Sequence, residues 1–65
     1  MTKEKAILAM KNGQRITHEY FSSDEFIYLD KEGFLRDEKD YHLNWIEFWE
    51  IRKEWRNKGW SIYKK

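Results

Sequence analysis

A small α+β domain, with two helices on a small antiparallel sheet, is the fold class that this sequence predicts. Three observations carry it. Apolar residues near the start recur at helical spacing and stop at a glycine. Residues 14–21 alternate with a period of two, and two further strand runs follow at 25–30 and 34–37 with turn residues between them. From Trp45 the period becomes helical again before one last alternating run. The order is therefore helix, three-strand meander, helix, strand.

Thr2 is placed to cap the first helix, with Ala6, Ile7, Met10 and also Ala9 toward one face, and Gly13 supplies the left-handed stop. Leu8 points away from that face, either as a single exposed apolar residue or as a subunit contact. QRITHEYF at 14–21 reads as a strand, with Ile16, His18 and Tyr20 on one side and Arg15, Thr17, Glu19 and Phe21 on the other. Ser22-Ser23-Asp24 is turn chemistry, EFIYLD at 25–30 is the second strand, and Lys31-Glu32-Gly33 is a hairpin loop. A third strand spans 34–37, and 37–43 fits either a loop or one more short strand. Asn44 opens a second helix running to Lys58, with acids early and bases late, as the helix dipole favours. Gly59 ends it. WSIYK at 60–64 is the final strand, with Trp60, Ile62 and Lys64 sharing a face.

Sixty-five residues give room for one domain, spanning 1–65. A chain this short buries only about 60% of its unfolded surface, so its stability margin is thin. It contains no cysteine, so disulfides are closed to it, and large aromatic side chains, 18% of the residues, serve instead. Thirteen basic and twelve acidic side chains nearly cancel, so no overall field steers the chain toward nucleic acid. Interleaved acids also deny a single strand the continuous positive groove that it needs. Nothing approaches the roughly 20 apolar residues of a membrane span, and no secretory signal opens the chain. The expected location is the cytoplasm.

The second helix holds the densest chemistry. Its apolar residues Trp45, Ile46, Phe48, Trp49, Ile51 and Trp55 fan across roughly 220°, wider than one sheet covers. Part of that arc is therefore expected to meet another subunit or a ligand. Arg52 projects into the fan between Phe48 and Trp49, with Arg56 beside it. Guanidinium groups among Trp faces make cation–π contacts and hold phosphates or carboxylates through a planar fork. The alternative is an arginine whose stem packs on aromatics while its head pairs with an acid. His18 and His42 are the only histidines, and Asp37, Glu38 and Asp40 lack a calcium-loop pattern, so no metal or other cofactor is expected. His18 fits a hydrogen-bonded core residue. No nucleophile elbow, glycine-rich phosphate loop or H-E-x-x-H is present, and a Ser22/His18/Asp24 relay would need unusual geometry, so the chain is not expected to be an enzyme.

The opening A-I-L-A-M-K-N-G-Q-R-I-T-H-E-Y-F and the closing E-F-W-E-I-R-K-E-W-R-N-K-G-W-S-I-Y-K resemble the two ends of short phage proteins related to the anti-Thoeris nucleotide sponges. The resemblance covers roughly the first 21 and the last 20 residues, and the long middle insert of the sponges has no counterpart here. It implies a homo-oligomer that sequesters a cyclic nucleotide immune signal without cleaving it. It also implies that Phe21 stands where the family has a pocket-lining Trp, and that Trp60 matches the Trp of the last strand. Two functions follow as expectations. The first is a phage anti-defence protein that binds a nucleotide-derived signal, with Arg52, Arg56, Trp49, Phe21, Tyr20 and Trp45 as ligand-binding residues. The second is an inhibitor that binds a host defence protein, such as a CRISPR effector, through an aromatic and arginine patch.

Overall fold

The computed structural model describes residues 1–50 and 54–64. Within them lie α1 (Lys3–Lys11), β1 (Ile16–His18), β2 (Ile27–Leu29), β3 (Leu35–Asp37), α2 (Trp45–Glu50), a 3-10 turn (Glu54–Asn57) and β4 (Trp60–Ile62). The strands form an antiparallel sheet in the order β3-β2-β1-β4, so the last strand closes beside the first. The fold is a small α+β domain, as the sequence patterning indicates.

Cross-strand register explains which side chains go inside. Ile16 lies opposite both Ile27 and Ile62, His18 opposite Trp60, and Leu29 opposite Leu35. Directly opposed residues share a face of the pleat, so this set lines one side of the sheet. Both helices cover that side: Ala6 and Met10 of α1 and Trp49 of α2 join Ile16, Ile27, Leu35 and Trp60 in the buried core. Thr2 caps α1 by accepting a hydrogen bond from the Lys5 amide, and Gly13 follows it at φ +86°. Leu8 is exposed. On the opposite face of the sheet Phe26 meets Tyr28 and Tyr63, and the Arg15 guanidinium lies over the Phe26 ring.

Several boundaries differ from expectation, each for a local reason. β1 stops at His18 because the Tyr20 amide donates to the His18 ring and the Phe21 amide to the His18 carbonyl, which turns the chain. Tyr20 consequently leaves the face of Ile16 and His18 for solvent, while Phe21 turns inward onto the core. Residues 37–43 resolve into a turn and a return: Asp40 takes φ +65°, and Arg36 and His42 form a single antiparallel bridge. In the second helical stretch Asn44 caps α2 through its side chain, and the last turn is 3-10 rather than α. The positions expected of Ile51, Arg52 and Lys53 lie outside the described residues. No helix among those described is long and apolar enough to cross a membrane.

Candidate functional site

His18 organises the end of β1. Its Nδ1 accepts a hydrogen bond from the Tyr20 amide at 3.0 Å. The proton therefore sits on Nε2, which donates to the carbonyls of Lys58 at 2.7 Å and Trp55 at 2.9 Å. Four rings surround it, with centroids at 4.6 Å for Trp55, 4.7 Å for Trp60, 5.2 Å for Tyr20 and 5.9 Å for Phe21. Both nitrogens serve the backbone, so His18 is the hydrogen-bonded core residue that its place on an apolar strand face indicates. A Ser22/His18/Asp24 relay has no base in this arrangement. Among the described residues, no group of three or more His, Asp or Glu side chains is placed to hold a metal ion.

That cage fixes the 3-10 turn, and the turn presents Arg56. The Arg56 carbonyl accepts the Trp60 indole N–H at 2.8 Å, which anchors the backbone. Its guanidinium lies 4.2 Å from the centre of the Phe48 ring and 4.9 Å from that of Trp55. Nε is buried without a hydrogen-bond partner among the described residues. Among the described residues, no carboxylate reaches ion-pair distance of this group. Burial pushes its pKa below the usual arginine value, although an arginine stays charged at neutral pH. Aromatic faces partly replace lost hydration, at about 0.5–2 kcal/mol for such a contact. A partly desolvated cation that no carboxylate among the described residues pairs with can receive an anion.

Arg56, Phe48, Glu47, Leu43 and Asn44 line a groove of about 210 Å³. A larger groove of about 410 Å³ adjoins it, walled by Phe34, His42, Trp45 and Ile46, with Leu43 and Asn44 common to both. Phe34, Trp45 and Ile46 are all exposed, and the Phe34 ring sits 4.7 Å from that of His42. Trp45 is braced from behind by Trp49 at 5.8 Å.

Of the residues singled out from sequence, Arg56 and Trp45 therefore reach this pair of grooves. Trp49 is core, edge-on to Phe48 and tilted against Trp60, with the Lys3 ammonium over its ring. Phe21 belongs to the His18 cage, and Tyr20 covers the cage's rim beside Trp55. Arg52 lies outside the described residues. Phe34, His42, Asn44 and Glu47 went unnoticed as candidates. A weak signal existed for Phe34, an aromatic directly after a hairpin glycine, but only the fold of 37–43 brings His42 next to it. No protein-family model, curated protein or solved structure matches the chain.

Proposed function

We propose that this chain is a non-catalytic binding protein that holds and sequesters a nucleotide-derived small molecule. One observation carries the proposal: Arg56 is partly desolvated on two aromatic rings, has no carboxylate at ion-pair distance among the described residues, and opens onto a groove that Glu47 also lines. Guanidinium edges of this kind bind phosphates, and nucleotide-like ligands bring phosphate and a stackable ring together. The resemblance of both chain ends to the phage sponges supplies the setting. There the protein acts in the host cytoplasm against a nucleotide immune signal, as a homo-oligomer with a molar mass above the 8.2 kDa of one chain. Titration calorimetry against cyclic nucleotides and cyclic ADP-ribose isomers is expected to give saturable heat with at least one, recovered intact afterwards. No heat from any of them at micromolar protein sinks the proposal, and a cleaved ligand sinks its non-catalytic part.

A second reading, inhibition of a host defence protein, is favoured by the exposure of Phe34, Tyr41, Trp45 and Ile46. Aromatic residues dominate protein–protein hot spots. Pull-down from host lysate separates the two, since a sponge retains no stoichiometric protein.

A further inference from the structure

We infer that the groove between Phe34 and Trp45 is the ring-binding subsite of the ligand, joined across Asn44 to an anion subsite at Arg56. The inference rests on the binding function proposed above and specifies the chemistry of the ligand: a flat ring and an anionic group, as in a nucleoside phosphate.

The larger groove, about 410 Å³, falls within the roughly 300–1,000 Å³ of small-molecule sites. Its two aromatic walls are held before any ligand arrives. The Phe34 amide donates to the Asp30 carboxylate at 2.9 Å, the Asp30 amide donates to the Phe34 carbonyl at 2.9 Å, and the ring leans on His42. Trp45 packs edge-on against buried Trp49. Leu43 is pinned by its amide donating to the Leu35 carbonyl at 2.8 Å. Rigid, exposed rings that the protein leaves uncovered on one side are stacking surfaces.

Asn44 connects the two grooves, since it lines both. Its Oδ1 accepts the Glu47 amide at 2.9 Å, which caps α2 and directs the side-chain N–H groups elsewhere. A ligand spanning both grooves passes over that amide. Charge selects the direction: the Arg56 side holds a guanidinium with no carboxylate at ion-pair distance among the described residues, although Glu47 lines the same groove. On the Phe34–Trp45 side, His42 is the only ionisable side chain among the described residues that line it.

The test compares adenosine 5′-monophosphate with ribose 5-phosphate, which carries the same anion without the ring. Binding is followed by calorimetry with wild type, Phe34→Ala, Trp45→Leu and Arg56→Gln. Phe34 and Trp45 are both substantially exposed, so their variants are expected to fold, which circular dichroism checks. Wild type is expected to prefer the nucleotide. Phe34→Ala and Trp45→Leu should each weaken the nucleotide by about tenfold and leave ribose 5-phosphate unchanged, while Arg56→Gln weakens both. A folded Phe34→Ala protein with unchanged nucleotide affinity overturns the inference, as does a wild type that binds ribose 5-phosphate equally well. Failure of this assignment and failure of the function remain distinguishable. A cyclic nucleotide bound with the same affinity by wild type and Phe34→Ala overturns the subsite alone, and no binding by any cyclic nucleotide or cyclic ADP-ribose isomer overturns the function too.

Discussion

At Gly59 the backbone takes φ +91°, and a Cβ added there would stand 2.9 Å from the His18 Nε2 and 3.1 Å from the Glu19 carboxyl carbon. Glycine is needed twice over, for the left-handed backbone and for the approach of the imidazole to the Lys58 carbonyl. Gly33 has the same kind of backbone, φ +86°, with nothing near its missing Cβ. Comparing the two separates strain from crowding. Gly33→Ala is expected to cost about 1 kcal/mol, the left-handed penalty alone. Gly59→Ala should cost at least about 2 kcal/mol, because His18 must also give up a carbonyl. For a domain this small each kcal/mol lowers Tm by about 4–8 °C, so thermal denaturation of the two variants resolves the difference. Equal losses would show that His18 yields freely.

Asp30 governs the hairpin between β2 and β3. Its Oδ1 accepts the amides of Glu32 and Phe34, and its Oδ2 accepts the Arg36 Nε–H at 2.5 Å. The Arg36 guanidinium, helped by those amides, holds the carboxyl below the usual aspartate range. A depressed pKa means that the ionised form is favoured by folding. The contribution is therefore full above the unfolded value, about 3.9, and is lost as pH falls through the lower folded value. Asp30→Asn should be less stable than wild type near neutral pH, with the gap closing in strong acid, as chemical denaturation across pH reads directly. A gap that persists unchanged below pH 2 would show that the charge of Asp30 is not the source of the stabilisation.

Element types were legible in the sequence, and element ends were less so. Alternation marked β1 and β4, turn residues bracketed β2 and β3, and Asn44 marked the start of α2. The premature end of β1 was not legible. It depends on the His18 ring accepting a backbone amide, a choice that becomes favourable only once the carbonyls of Trp55 and Lys58 hold the other nitrogen. The same limit explains the exchange of Tyr20 and Phe21 between solvent and core. Period two continues through both residues, and only hydrogen bonding 37–40 positions away in sequence interrupts it.

On the scale of the whole molecule, Trp45 and Ile46 of the expected apolar arc are exposed, while Ile51 of the same arc lies outside the described residues. One sheet face, already sharing its cover with α1, has room for Trp49 and part of Phe48 but leaves Trp45 and Ile46 outside. The partner of Trp45 was hidden, because Phe34 reaches that region only through the hairpin return at His42. The same thin core makes ligand binding visible in stability. A ligand that binds only the folded state at 100 times its Kd adds about 2.7 kcal/mol, which in a domain of this size raises Tm by roughly 10–20 °C. Under the proposed function, a bound nucleotide is therefore expected to shift the melting curve of wild type by that amount. At the same ligand concentration the tenfold weakening expected of Phe34→Ala should roughly halve the shift, and Arg56→Gln should likewise reduce it, because each removes one end of the proposed site. Gly33→Ala, which only strains a turn, should lower the starting Tm and keep the increment. An increment retained in Arg56→Gln would mean that the ligand is held elsewhere on the fold.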